Sequence, residues 1–76
     1  MIKVRVGGFT IGKARTMDDA REMAVGHVIG LGMYGQLAPG QPIDVEYRTG
    51  GQLIEQSEML GPIFDDDLVP PDSVLH

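Results

Sequence analysis

The six residues from Gly30 to Gly35, GLGMYG, match the spacing of a dinucleotide-binding motif. In that motif the glycines follow a strand and open a helix, so that free N–H groups at the helix N-terminus meet the pyrophosphate. Here a helical pattern leads into the glycines and a proline-containing loop follows them. The motif would therefore present carbonyl groups, which have the wrong polarity for phosphate, and we expect no nucleotide or other cofactor to bind there.

Other residues capable of chemistry lack partners at a useful spacing. His27 lies on the apolar face of the predicted helix, without a second metal ligand or an orienting carboxylate nearby on that face. We interpret it as a core or boundary imidazole bonded to the backbone. Ser57 and Ser73 have no arrangement that would activate a hydroxyl, and the chain has no cysteine. The sequence thus predicts neither an enzyme nor a metal protein.

The densest run of charge is Asp65, Asp66 and Asp67. It lacks the spaced oxygen ligands and the closing glutamate of a calcium loop, so a solvated acidic segment is the simplest interpretation. The functional alternative is electrostatic. An acidic segment can imitate phosphates, or it can cover a basic patch on its own chain or on a partner.

Charge is distributed unevenly along the 76 residues, with +3 over the first 21 residues, −7 from Asp44 onward and −5 in total. Four cations of the predicted first hairpin could form a basic strip of the kind found in nucleic-acid binders: Lys3, Arg5, Lys13 and Arg15. We expect Phe9 to point into the core, which leaves this strip without a stacking aromatic. If the third strand lies beside the first, Asp44 and Glu46 would partly neutralise the strip.

The elements that must position these residues begin with a hairpin. Apolar and charged residues alternate over residues 2–6, which is typical of a strand with one wet face. Gly7 and Gly8 then form a two-residue turn, because glycine adopts positive φ without a Cβ penalty. In that register Val6 faces Phe9 and Val4 faces Ile11.

A helix follows the first hairpin. Thr16 is the predicted N-cap, with Asp18 and Asp19 in the first turn, where carboxylates suit the helix dipole. On a helical wheel one broad apolar face would lie on the sheet, and its members are Met17, Ala20, Met23, Ala24, His27, Val28 and Leu31. The helix is predicted to end between Ile29 and Gly32, and Gly32 or Gly35 is the candidate C-cap.

A second hairpin follows a loop over residues 32–42. Strands are predicted over residues 43–48 and 52–58, joined by the second glycine pair, Gly50 and Gly51. Simple two-residue pairing would place Glu46 opposite Glu55, and like charges at directly opposite positions are unfavourable. We therefore expect a bulge or a shifted register in this hairpin.

Together these elements predict an α+β fold: a small ββαββ domain over residues 1–58, with one helix packed on a largely antiparallel four-stranded sheet. Residues 59–76 are acidic and contain several prolines, and we read them as an irregular tail that docks in part or not at all. No apolar run is long enough for a membrane span, and the absence of cysteine fits the cytoplasm.

Four residues on the far side of the helix form the predicted partner-binding patch. Val25 and Ile29 point away from the sheet-facing stripe, next to Gly26 and Gly30, which each cost a helix about 1 kcal/mol relative to alanine. A close neighbour would offset that cost. Either the tail, through residues 63–64, or another protomer could cover this patch.

The favoured function is a non-catalytic module that acts through protein–protein contacts, made by this patch, by an exposed edge strand and by Asp65, Asp66 and Asp67. An edge strand that pairs with a second copy predicts a homodimer. In size, charge and element order the chain also resembles phage-encoded accessory proteins, including inhibitors of bacterial defence complexes, which implies acidic mimicry toward a basic, nucleic-acid-binding partner. Direct nucleic-acid binding through the basic hairpin is the second alternative.

Overall fold

Two glycine pairs reverse the chain and create two hairpins. The structure is a computed structural model that describes residues 1–63. In it Gly7 and Gly8 have φ values of 59° and 86°, and Gly50 and Gly51 have values of 56° and 81°. Residues with a Cβ rarely adopt this region, so both turns depend on glycine, as the sequence predicts.

The described chain contains one helix and four strands in the order ββαββ. They are β1 (Ile2–Val6), β2 (Phe9–Ala14), α1 (Met17–Met33), β3 (Pro42–Thr49) and β4 (Gln52–Leu60). The strands lie in the order β2-β1-β3-β4, and each neighbouring pair is antiparallel. The predicted fold class is confirmed, although β4 continues past Glu58 to Leu60.

The first hairpin contains a bulge that the sequence did not predict. Val6 lies opposite Phe9 as expected, but Val4 lies opposite Gly12 and not Ile11. The reason is on the neighbouring helix, since a Cβ added to Gly12 would lie 2.9 Å from the sulfur of Met23. The shifted register brings a residue without a side chain under Met23, and α1 can approach β2 closely there.

The second hairpin contains the bulge that the sequence predicts. The register shifts between Tyr47 and Arg48, so that Glu46 lies opposite Gln56 and Tyr47 lies opposite Glu55. The shift separates the two glutamates that simple pairing would oppose. Electrostatic conflict in the sequence was therefore a usable signal for this irregularity.

Helix α1 begins at its predicted cap and ends slightly later than expected. The Thr16 hydroxyl accepts a hydrogen bond of 3.1 Å from the N–H of Asp19. The helix continues through Met33, with Tyr34 as its C-cap. Only small residues of α1 are fully buried, namely Ala20, Ala24 and Val28, which allows the helix axis to lie close to the sheet.

The core is small and lies between α1 and the two central strands. Its largest fully buried side chains are Tyr47, Val4 and Val45. The complete set of buried apolar side chains among residues 1–63 is Val4, Val6, Ala14, Ala20, Ala24, Val28, Leu37, Val45 and Tyr47. A single helix covers this core, as expected for a chain that can bury only a limited area.

Helix α1 lies mainly over the first hairpin, and its principal contacts are with β1 and β2. As a result, much of β4 is exposed on the helix side of the sheet as well as on the other side. The prediction that Phe9 points into the core is wrong, because its side chain is 76% exposed. Phe9 lies on the helix side opposite Val6, but at the turn end of the sheet, where α1 does not cover it.

The loop after α1 is held by a buried side chain and by two hydrogen bonds to the end of the described chain. Leu37 is buried in the core, which the sequence pattern did not predict. The N–H of Gly61 donates to the carbonyl of Gln41 (2.7 Å), and the N–H of Gly40 donates to the carbonyl of Gly61 (2.8 Å). A Cβ on Gly61 would collide with the carbonyl oxygen of Ala38. Glycine at this position lets the end of β4 lie directly against the loop.

Candidate interaction surfaces

The glycines of GLGMYG form the C-terminal end of α1. Gly35 has a φ of 71°, the N–H of Gln36 donates to the carbonyl of Leu31 (2.8 Å), and the N–H of Gly35 donates to that of Gly32 (3.2 Å). These paired bonds define a Schellman motif, with Gly35 in the position that favours glycine. The expectation that a helix leads into the motif is confirmed, so its polarity is opposite to that of a phosphate-binding loop.

His27 is exposed, and the prediction that it is a core or boundary imidazole is wrong. The stripe of α1 that contacts the sheet is centred on the small residues Ala20, Ala24 and Val28, so His27 falls at the edge near β2. There it lines a hollow of 510 Å³ together with Phe9, Leu31 and Ile43, among others. A wheel gives the direction of a side chain but not the width of the covered stripe.

The opposite edge of α1 borders an apolar groove. We call it the helix–strand groove; its lining residues are Val25, Val28, Ile29, Met59, Leu60 and Pro62, and its volume is 340 Å³. Val25 is 46% exposed and Ile29 is 39% exposed, so both predicted patch residues are accessible. The end of β4 supplies the second wall, which the sequence analysis missed because it ended that strand at Glu58.

An ion pair connects α1 to β4 one helical turn before the helix–strand groove. Arg21 of α1 donates to Glu55 of β4 at 3.2 Å and lies 3.7 Å from Asp18. The pair lies beside Tyr47, the cross-strand neighbour of Glu55. Burial raises the pKa of the Tyr47 phenol above its ordinary value; the Glu55 carboxylate raises it further, while Arg21 opposes the shift. The ion pair therefore links α1 to β4 beside a buried tyrosine.

Gly26 and Gly30 have no close neighbour in the part of the chain that the structure describes. A Cβ built on either would meet nothing within 4 Å. Both line a shallow depression of 260 Å³ on the outer side of α1, which His27 and Tyr34 also border. The expected contact that would offset their helix cost is therefore not provided by residues 1–63.

The second half of α1 contains no acidic residue, no lysine and no arginine. Between Glu22 and Asp44 the sequence contains no Asp, Glu, Lys or Arg. The outward residues of this stretch include Val25, Ile29 and Met33, all of which are exposed. Surface helices normally have a charged outer face, so an uncharged one is typical of a contact surface.

We call the sheet face opposite α1 the open face. Charged residues that are neighbours across adjacent strands form rows on this face, and the rows differ in the sign of their charges. Glu46 lies 3.0 Å from Nε of Arg48 and 3.8 Å from the guanidinium of Arg5, so the predicted neutralisation of Arg5 occurs. Asp44 lies opposite Glu58 and neutralises no cation of the strip among the described residues. The cations of the predicted basic strip thus differ: Arg5 is paired with a carboxylate, whereas Lys3 and Lys13 form no ion pair within residues 1–63.

One row of the open face contains only cations on three adjacent strands. Lys3 lies opposite Lys13 on β2 and opposite Arg48 on β3. These three residues, the cationic row, line a hollow of 410 Å³ with the turn at Gly50 and Gly51. Lys3 and Lys13 were expected in a basic strip, but Arg48 could not be added from the sequence, because the strand beside β3 is not known without the sheet order.

The remaining predicted partner-binding residues, Asp65, Asp66 and Asp67, lie outside the described residues. Within residues 1–63, no group of three or more His, Cys, Asp or Glu side chains converges as a metal ion would require. The helical part of the described chain has neither the length nor the apolar character needed to cross a membrane. The candidate surfaces are therefore the helix–strand groove with the adjoining face of α1 and the cationic row.

Comparison with protein-family models, curated proteins and solved structures finds no match to this chain. Any function proposed for this chain therefore depends on the geometry and chemistry of the two surfaces themselves.

Proposed function

We propose that this protein is a non-catalytic module that binds another protein through the helix–strand groove and the adjoining outer face of α1. The observation that carries the proposal is the uncharged second half of α1 beside an open apolar groove. Scattered surface aliphatics are ordinary, but contiguous ones beside a concave apolar wall characterise interaction sites.

The groove has room for apolar side chains from a partner. Val28 at its base is buried, whereas Val25, Ile29 and Leu60 at its rim are exposed. A partner side chain inserted there would remove apolar surface from water on both molecules, at about 25 cal/mol per Å². Such a buried centre with a more polar rim is the usual anatomy of a protein interface.

The glycines support the same proposal. Gly26 and Gly30 leave a smooth strip beside Val25 and Ile29, and nothing among residues 1–63 lies against it. A partner backbone could approach such a strip more closely than it could approach a helix with larger side chains. The cost that both glycines impose on the helix would then be offset in the complex.

A second copy of the chain is the first partner to consider. Strand β4 is an edge strand of nine residues, and it borders the groove. Its free backbone groups could pair with the same strand of another protomer, which would bring two grooves together around a twofold axis. We further propose a cytoplasmic location, since the chain has no cysteine.

The test uses charged substitutions in the groove and a matched control. The double variant Val25→Glu and Ile29→Glu introduces two carboxylates at the rim, where burial of an unpaired charge is costly. Phe9 is also an exposed apolar residue, but it lies at the turn of the first hairpin and belongs neither to the groove nor to β4, so Phe9→Glu is the control. Light scattering measures the mass in solution, and affinity capture from the native cells identifies proteins retained by each form.

The proposal predicts that the wild type and the Phe9→Glu variant share a dimeric mass or a retained partner, and that the double variant loses it. Circular dichroism of all three forms checks that the fold is intact. If the double variant has the mass and the partners of the wild type, the groove is not the interface and the proposal is wrong.

A further inference from the structure

A second surface of the molecule has the opposite chemistry, and it lies on the open face of the sheet. Lys13, Lys3 and Arg48 are direct neighbours across β2, β1 and β3. Directly opposed side chains have Cβ atoms about 4.5–5.5 Å apart, so like charges in such positions repel. The three cations of this row therefore repel one another, and an anion bound among them would relieve that repulsion.

In the adjacent row of the open face, opposite charges lie next to each other. There Arg5 lies opposite Glu46, which also accepts a hydrogen bond of 3.0 Å from Arg48. Among the described residues, the carboxylate of Glu46 is thus already shared by two guanidinium groups. Within residues 1–63, Lys3 and Lys13 form no ion pair.

The cationic row also has the shape of a site. Its side chains line a hollow of 410 Å³, closed at one end by the Gly50–Gly51 turn. Adjacent strands are about 4.8 Å apart, so the row is about 10 Å across. The hollow is therefore wide enough for a small group of adjacent negative charges and too short for an extended one.

We propose that the cationic row binds a compact anion with several adjacent negative charges, of which a chain of linked phosphate groups is the best-fitting class. Two ammonium groups supply freely rotating donors, and the guanidinium of Arg48 keeps N–H groups besides the Nε that donates to Glu46. Phosphate oxygens accept such charge-assisted hydrogen bonds from several cations at once.

The rest of the open face limits the length of the ligand. Asp44 and Glu58 lie opposite each other on the same face, four residues along β3 from Arg48. At about 3.3 Å per residue this places the acidic pair roughly 13 Å from the row. An extended polyanion such as a nucleic-acid strand would meet these carboxylates, whereas a short phosphate chain would not.

The experiment is calorimetric titration of the full chain with inorganic tripolyphosphate at low salt. Lys3→Ala and Arg48→Ala each remove one charge-assisted contact and should weaken binding about tenfold. Arg15→Ala is the matched control, because Arg15 is exposed, carries the same charge and does not line the hollow. Thermal melting of each variant confirms that the fold is intact.

A single-stranded oligonucleotide and a variant of the acidic segment complete the design. The oligonucleotide offers the same phosphate chemistry in extended form and should bind less tightly than tripolyphosphate. In the triple variant Asp65→Asn, Asp66→Asn and Asp67→Asn, tripolyphosphate should still bind, with affinity at least equal to that of the wild type.

Four results would overturn the proposal. They are the absence of binding to tripolyphosphate at low salt, an equal loss in Arg15→Ala, tighter binding of the oligonucleotide, and binding that appears only in the triple variant. The last result would make the acidic segment of this chain the occupant of the row. None of these outcomes depends on the helix–strand groove, so this proposal and the proposed function can fail separately.

Discussion

The outer face of α1 and the open face of the sheet enclose the same core but have opposite surfaces. The second half of α1 has no Asp, Glu, Lys or Arg, whereas the open face carries charged residues in three successive rows. These rows contain Lys13, Lys3 and Arg48, then Arg5 and Glu46, then Asp44 and Glu58. Each surface departs from what stability alone would favour, through exposed apolar side chains and helical glycines on one face and through opposed cations on the other. Departures of this kind are expected where a surface binds something.

The comparison also separates two kinds of binding. Apolar burial in the helix–strand groove is not weakened by charge screening, while binding of an anion to the cationic row weakens as salt screens the charges. A small domain with both surfaces could hold a protein on one side and an anion on the other.

The largest difference between the two faces should appear at adjacent residues of β3. Tyr47 faces α1 and is 1% exposed, whereas Arg48 is on the open face. Tyr47→Ala should cost about 3–5 kcal/mol, because it leaves a cavity in a small core. Arg48→Ala should change stability by less than about 0.5 kcal/mol, since surface ion pairs contribute little and the substitution relieves repulsion with Lys3. Urea unfolding of both variants measures the difference, and equal losses would contradict the assignment of faces.

A smaller loss is expected where the loop lies against the end of β4. Gly61→Ala adds a Cβ that collides with the carbonyl of Ala38, and the strain should cost about 1–3 kcal/mol. The loop and Pro62, a wall residue of the groove, would shift with it. The same unfolding measurement checks the loss. A variant as stable as the wild type would show that the contact between β4 and the loop is not close.

The helical glycines should respond in the opposite direction. Gly26→Ala and Gly30→Ala should each stabilise the isolated chain by about 1 kcal/mol, because alanine favours helix and nothing among residues 1–63 is in the way. Gly35→Ala is the control and should destabilise, since Gly35 has a φ of 71°. Thermal melting gives these signs.

Binding then sharpens the comparison. If the glycine strip contacts a partner, the two stabilised variants should bind that partner more weakly than the wild type. If the stabilised variants bind the partner as tightly as the wild type, the glycines are not part of the interface, and of the predicted patch only Val25 and Ile29 remain in it.

The smallest effect concerns the pH dependence of the covered side. Burial and Glu55 raise the pKa of Tyr47, so its absorbance titration in a Tyr34→Phe background should have a midpoint above about 10. The folded state favours the protonated phenol. Tyr47 therefore makes a constant contribution to the free energy of unfolding below the unfolded pKa, and this contribution is lost as the pH rises through the folded pKa. Glu55→Gln should lower the midpoint. A midpoint at or below the value of a free tyrosine would contradict the burial of this ring.

Much of the fold could be predicted because local physics determined it. The glycine pairs required turns, Thr16 capped the helix, and the conflict of Glu46 with Glu55 predicted a bulge. The bulge in the first hairpin could not be predicted, since it depends on the approach of Met23 to Gly12 across the fold. Periodicity along one element carries no information about a contact from another.

The candidate surfaces were only half predictable for the same reason. Val25 and Ile29 could be assigned to the outer side of the helix from a wheel alone. Their neighbours in the groove come from the end of β4, and Arg48 joins Lys3 only because β3 lies beside β1. His27 was misassigned because the width of the covered stripe depends on where a single helix lies over a four-stranded sheet.

In the proposed function the helix–strand groove, and not the open face, contacts a protein. The most direct measurement is the amide NMR spectrum of the isotope-labelled chain, recorded with increasing concentration of the unlabelled chain and then with the captured partner. The shifted signals are expected to belong to residues 25–33 and to residues 59–63, which include the end of β4. Shifts confined to the open face, or to the β2 edge, would contradict the proposed function.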